Sequence, residues 1–188
     1  MKRTLLFLTL LLGFTRVEGQ LQLADVANAA ESIVNEDILY DPSYFSIAYP
    51  NGDVPEDRGV CTDVVIRTYR ILGVDLQLNV HEDMKQSFGA YPKRWGLSKP
   101  DSNIDHRRVP NLMTYFERQG ASLPLKDFQP GDVVCWDLGK GILHIGVVSS
   151  RKGTSGNYLV VHNIGSGQVY EDVLFAFEQI GHYRYLAE

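Results

Sequence analysis

The chain has 188 residues, 44% of them hydrophobic, and a formal charge of −5; that suits one folded domain and argues against disorder. The charge is spread along the sequence, and no block of lysine or arginine is present to track a phosphate backbone, which argues against a nucleic-acid partner.

In chain order, Met1 to Gly19 divides into a basic start (Lys2, Arg3), an apolar run from Leu5 to Phe14 and a small-residue exit. That is the layout of a secretory signal peptide, with Val17 and Gly19 at the small-residue positions before a cleavage site. The run is too short to cross a bilayer, and no later stretch approaches the roughly 20 apolar residues a membrane helix needs. No cysteine follows it to carry a lipid anchor. The expectation is an exported, periplasmic or secreted protein, soluble and monomeric, without a membrane anchor once the leader is removed. Residues 20–188 should then form a single domain.

Leu23, Val26, Ala27, Ala30, Ile33 and Val34 recur at helical spacing and predict an amphipathic helix of about four turns. From Tyr40 to Gly59, Pro42, Pro50, Asn51, Gly52 and Pro55 mark an ordered loop, a common seat of function. A second helix is predicted from Cys61 to Leu72, ended by Gly73, with Cys61, Val65, Tyr69 and Leu72 on one face. Short helices over Val80–Phe88 and Pro110–Gln119 flank an irregular basic segment from Tyr91 to Arg108. The remainder is β-rich: Asp132–Leu138, Ile142–Ser149 and Tyr158–Asn163 are predicted to form an antiparallel sheet. After the Gly165-Ser166-Gly167 turn, a short helical piece should lead into a last strand over Gly181–Leu186. Helices followed by a sheet give an α+β fold class.

The residues with chemical potential are few. A cysteine opening a helix meets unpaired N–H groups and the positive end of the helix dipole, and both favour thiolate, so Cys61 is the candidate nucleophile. The same N–H groups could stabilise an oxyanion when the thiolate attacks a carbonyl; the plain alternative is a small buried residue. His144 begins a strand, where a side chain stays accessible, and is the candidate base. His162 ends the neighbouring run, from which it could contact and orient His144 as a third member; Asn163, on the opposite face, ranks second.

Arg94, Arg107 and Arg108 could hold the carboxylates of a ligand, and Asp57 and Arg58 precede the nucleophile on a loop that would line a cleft. Solvation or ion pairing with Asp101 and Asp105 is the competing reading for the arginines. Asp63 could satisfy N–H groups in the first helical turn. His81 and His106 lack the close spacing of a zinc motif, so neither a metal nor any other cofactor is expected. Cys135 reads as a packing residue in mid-strand. Its strand should neighbour that of His144, so a Cys61–Cys135 disulfide that silences the nucleophile is the alternative in an oxidising compartment.

Four stretches, Gly59-Val60-Cys61-Thr62-Asp63, Pro130-Gly131-Asp132-Val133-Val134, His144-Ile145-Gly146-Val147-Val148 and Val161-His162-Asn163, resemble the ordered motifs of NlpC-like, papain-fold cysteine peptidases of bacterial cell walls. Nearly the whole mature chain, including Tyr91-Pro92-Lys93-Arg94-Trp95-Gly96, Asn103–Leu112 and Gly181-His182-Tyr183-Arg184-Tyr185, resembles an exported bacterial family known as domain of unknown function 1287. The resemblance implies a papain-like core, with the nucleophile's helix packed on the sheet and a triad in the order Cys61, His144, His162. It also implies a peptidoglycan peptide or muropeptide as substrate, cut at an amide bond by an endopeptidase or amidase through a thioester. A non-catalytic envelope-binding module, a papain-fold acyltransferase and a metal-dependent hydrolase are the alternatives. Val60-Cys61-Thr62-Asp63 departs from the Asp-Cys-Ser-Gly usual in those peptidases, and residues 73–129 are long and distinctive, so the substrate pocket should differ from the family norm.

Overall fold

The computed structural model describes residues 20–187; the predicted leader over residues 1–19 lies outside them. Helix α1 spans Leu23–Ser32 and buries Val26, Ala27, Ala29 and Ala30. Small alanines let it lie close to its neighbours, and Asp25 caps it by accepting the Gln22 N–H at 3.0 Å. It ends two residues before the last apolar position of the predicted spacing, because the chain turns at Ile33 and Asn35 pairs with Gln168.

The loop between Tyr40 and Gly59 is anchored at both ends by a two-residue parallel pair, β1 (Leu39–Tyr40) against β2 (Arg58–Gly59). Helix α2 (Cys61–Ile71) follows at once. Helix α3 (Leu76–Ser87) begins four residues before the predicted start, since Asp75 caps it by accepting the Leu78 N–H. Helix α4 (Val109–Arg118) carries Pro110 in its first turn, where proline's missing N–H costs nothing. It closes at Gly120, whose φ of +70° is the left-handed conformation that glycine accepts most readily. Between α3 and α4, a single turn of 3₁₀ helix over Asp105–Arg107 carries three buried charged or polar side chains.

The sheet has five antiparallel strands in the order β6-β5-β4-β3-β7. They are β3 (Val133–Asp137), β4 (Leu143–Lys152), β5 (Tyr158–His162), β6 (Val169–Glu171) and β7 (Glu178–Tyr183). Strand β6 is a correction: a helical piece was expected after Gly167, but Val169-Tyr170-Glu171 pairs with β5 instead. The exposed edge of β5 offers backbone partners and Tyr170 packs on the core, and this tertiary gain outweighs weak local preference.

Strand alternation divides the apolar residues between two faces. One face, with Val133, Cys135, Ile145, Val147 and Val161, packs on α1, α2 and α4 in a core that also holds Cys61, Leu112 and Phe116. Burial of a side chain such as Leu112 or Phe116 stabilises the fold by about 1.5–3 kcal/mol. The other face carries a smaller cluster of Val134, Trp136, Val148 and Val160, covered by Phe128 and Leu174. Among the described residues no helix is long and apolar enough to cross a membrane.

The Pro130-Gly131-Asp132 stretch has a structural role. Gly131 (φ +94°) approaches the Leu23 carbonyl too closely for any side chain. Asp132, fully buried, holds His182 at 2.8 Å, accepts from Arg184 Nε and Nη2 at 2.8 and 2.9 Å, and accepts the Gln129 N–H at 2.7 Å.

Candidate active site

Helix α2 begins at Cys61, which lines a cleft of about 230 Å³ shared with Tyr40, Arg94, Trp95, Arg107, Arg108 and Leu143. The helix start is held by Asp63. Its carboxylate accepts the Val60 N–H at 2.7 Å and two Arg107 bonds at 2.9 and 3.0 Å. Both side chains of this pair are almost fully buried. Arg107 also donates to the Ser43 and Asp41 carbonyls, so it staples the 40–59 loop to the start of α2.

Arg107 therefore lines the cleft with its fork already engaged by Asp63, which leaves it less able to hold a ligand carboxylate than Arg94 or Arg108. Asp57 and Arg58, against expectation, fall outside the cleft lining. Arg58 bonds Asp41 at 2.7 Å, with Asp57 3.6 Å from its Nε, because β1–β2 pairing turns these side chains away. Arg94 and Arg108 also line the cleft. Arg108 lies over the Trp95 ring at 4.1 Å, a cation–π contact. Trp95 itself was missed. Its φ of +64° is strained for a bulky residue, and its ring is half exposed at the cleft rim. Among the described residues no carboxylate side chain lines this cleft, and the charged side chains in its lining are arginines.

Cys61 is less reactive at rest than its helix position suggests. Burial pushes its thiol up to about 12; the N–H groups of Ile145, Thr62 and Cys61 pull down, and the Asp63 carboxylate pushes up. Desolvation of a thiolate outweighs the helix start here. Cys61 and Cys135 are both free thiols in the same core cluster.

The histidine pair forms as expected, but buried rather than accessible. His144 Nε2 lies 2.8 Å from His162 Nδ1, and the rings meet edge to face. Trp136, the Cα partner of His144 on β3, stacks on it with centroids 5.6 Å apart. Burial holds His144 down at about 3, with His162 adding to the effect, so the imidazole is neutral. His162 is likewise lowered by burial, offset by Glu171. Glu171 was not anticipated: its Oε2 is 2.9 Å from His162 Nε2, from a strand absent from the sequence reading. Asn163 turns away, as expected, accepting the Gly165 N–H and contacting the Gly59 carbonyl.

Alternation places His144, Trp136 and His162 on the face of the second cluster, whereas Cys61 belongs to the first. The two halves meet at the His144–Ile145 step, since Ile145 shares a core cluster with Cys61. Among the described residues, no hydrogen bond joins Cys61 to His144. His81 and His106 stay apart from the cleft: His81 Nδ1 bonds Asp105 at 2.9 Å, and His106 is buried with its Nδ1 unpartnered. Among the described residues, no three histidine, cysteine or carboxylate side chains form a group that could hold a metal.

The fold and site thus define an α+β domain with a helix-start cysteine in a cationic cleft, next to a buried histidine pair met by a partly exposed glutamate. The chain belongs to the family described as domain of unknown function (DUF1287), whose model matches residues 27–185. It is 46% identical to "Uncharacterized protein YijF" of Escherichia coli (strain K12), in an alignment of 206 positions covering 100% of both chains.

Proposed function

We propose that this chain is an exported cysteine hydrolase of the cell envelope that cuts an amide bond in peptidoglycan peptides, as a monomer on a papain-like, NlpC-like core. The supporting observation is the placement of Cys61 at a helix start in the cleft wall, in the same core cluster as Ile145, the strand neighbour of His144. Cys61 Sγ attacks the scissile carbonyl carbon, and His144 takes the thiol proton in step with attack, since a resting ion pair is disfavoured by the burial of both groups. The N–H groups opening α2 hold the oxyanion. His144 then gives the proton to the leaving amine, and a water activated by the same imidazole releases the thioester as a carboxylic acid. In apo enzymes such contacts are often loose and tighten only with substrate. Arg94 and Arg108, in a cleft whose described lining holds no carboxylate side chain, suit a peptide that carries its own carboxylates.

The test is mass spectrometry of muropeptides incubated with the purified protein and with Cys61→Ala. New cleavage products are expected only with the unaltered protein. Equal products from both would remove Cys61 from the reaction.

A second reading is favoured by the high thiol pKa and by the lack of a Cys61–His144 bond: a non-catalytic module whose cleft holds a peptidoglycan fragment. It predicts binding of muropeptides without products and without a thioester. A papain-fold acyltransferase would use the same residues with an amine in place of water, and products formed with added amine distinguish it.

A further inference from the structure

The histidine pair poses a question of proton placement. Each neutral imidazole has one donor and one acceptor nitrogen, and their assignment is fixed by hydrogen-bond partners. Glu171 Oε2 lies 2.9 Å from His162 Nε2. The approach is off the line of a well-formed hydrogen bond, yet no other polar atom serves this buried nitrogen among the described residues. A carboxylate only accepts, so His162 Nε2 must carry the hydrogen. His162 Nδ1 is then an acceptor, and the atom 2.8 Å from it, His144 Nε2, must be the donor. That leaves the lone pair of His144 on Nδ1, the nitrogen with no hydrogen bond to another described residue.

We infer that Glu171 is a positioning residue: through His162 it fixes the tautomers of both imidazoles, so that His144 offers Nδ1 as the proton acceptor. The strands permit this. His162 and Val169 are Cα partners on β5 and β6, and Glu171 lies two residues further along β6, on the same face. When His144 takes a proton at Nδ1, both of its nitrogens carry hydrogen. The Nε2–H stays on His162, and the carboxylate beyond stabilises the new positive charge at a distance of one ring. Glu171 does not touch the reacting atoms. Trp136 stacks on the His144 ring and meets the His162 ring at a tilt. No other charged side chain contacts the pair among the described residues.

The tautomer assignment does not depend on any activity; its catalytic consequence rests on the proposed hydrolase. Long-range ¹H–¹⁵N spectra of the full chain, labelled at histidine nitrogen, read each tautomer without substrate. In the unaltered protein both rings should be protonated at Nε2. Glu171→Leu, at a partly exposed edge-strand site, should convert His144 to a tautomer mixture. Glu171→Gln keeps an acceptor oxygen and should restore the single form. Where muropeptides are cleaved, Glu171→Leu should lower kcat by about 10- to 100-fold with KM little changed, less than the roughly 10²- to 10⁴-fold a lost general base costs. His144 protonated at Nδ1 in the unaltered protein, or unchanged tautomers in Glu171→Leu, overturns the inference. Correct tautomers in a protein that cleaves nothing would sink the hydrolase and leave the role of Glu171 standing.

Discussion

Replacing Arg107 by alanine removes one half of a buried ion pair. The Asp63 and Arg107 side chains are each only 2% exposed and are joined by two bonds of 2.9 and 3.0 Å. Without the guanidinium, the Asp63 carboxylate is left with the Val60 N–H as its remaining partner, and the Ser43 and Asp41 carbonyls lose a donor. Breaking a buried pair from one side costs about 3–5 kcal/mol. For a domain of this size that corresponds to a Tm lower by roughly 6–20 °C, at about 2–4 °C per kcal/mol. The pair taken out together behaves differently. In Asp63→Asn with Arg107→Leu, the amide oxygen still caps Val60 and no lone charge is buried, so stability should recover to within about 2 kcal/mol of the parent. Urea denaturation of Asp63→Asn, Arg107→Leu and their double variant completes the cycle. A loss below about 1 kcal/mol for Arg107→Ala would refute the staple and return Arg107 to the ligand-binding arginines.

Three further outcomes are expected. His106 and His144 are held at about 3 by burial, below the ordinary 6.5. The unfolded chain therefore binds protons that the folded chain does not, and stability falls as pH drops from 6.5 towards 3. At pH 4.5 the two together cost on the order of 5 kcal/mol, offset in part by Asp105, whose carboxyl burial raises; a flat urea midpoint from pH 6.5 to 4.5 would contradict this. Alkylation of Cys61 by iodoacetamide, located by peptide mass spectrometry, should be slow at pH 7 and still rising at pH 10, since its thiol sits at about 12. A plateau near pH 7 would mean that a thiolate exists at rest. Arg108→Ala should raise KM for muropeptides about ten-fold, near 1.4 kcal/mol, whereas Arg58→Ala, outside the cleft, should change it less than about two-fold; equal effects would dissociate substrate binding from the cleft.

The helices and most strands are legible in the sequence because their signals are local. Apolar spacing marks α1 and α2, Gly73 and Gly120 end α2 and α4, and β-branched runs mark β3, β4 and β5. The start of α3 was legible too, in the capping residue Asp75, but the apolar pattern alone points later. Strand β6 was not legible, since three residues carry too little pattern, and their pairing exists only because β5 presents an open edge.

The same division holds for the site. From sequence alone came Cys61 at a helix start and His144 and His162 on adjacent strands, because helix onset and strand alternation are properties of short segments. Side-chain partnerships between distant segments were decided only by the tertiary structure. Arg107 reads as a free cation until Asp63, 44 residues earlier, takes it. Glu171 carries no signal in the sequence until β6 sets it against His162. Cys61 reads as an activated thiol until the core closes over it. Local sequence sets which conformation a segment prefers. Packing sets which charges lose water and which atoms must then satisfy one another, and that balance governs the chemistry available in this cleft.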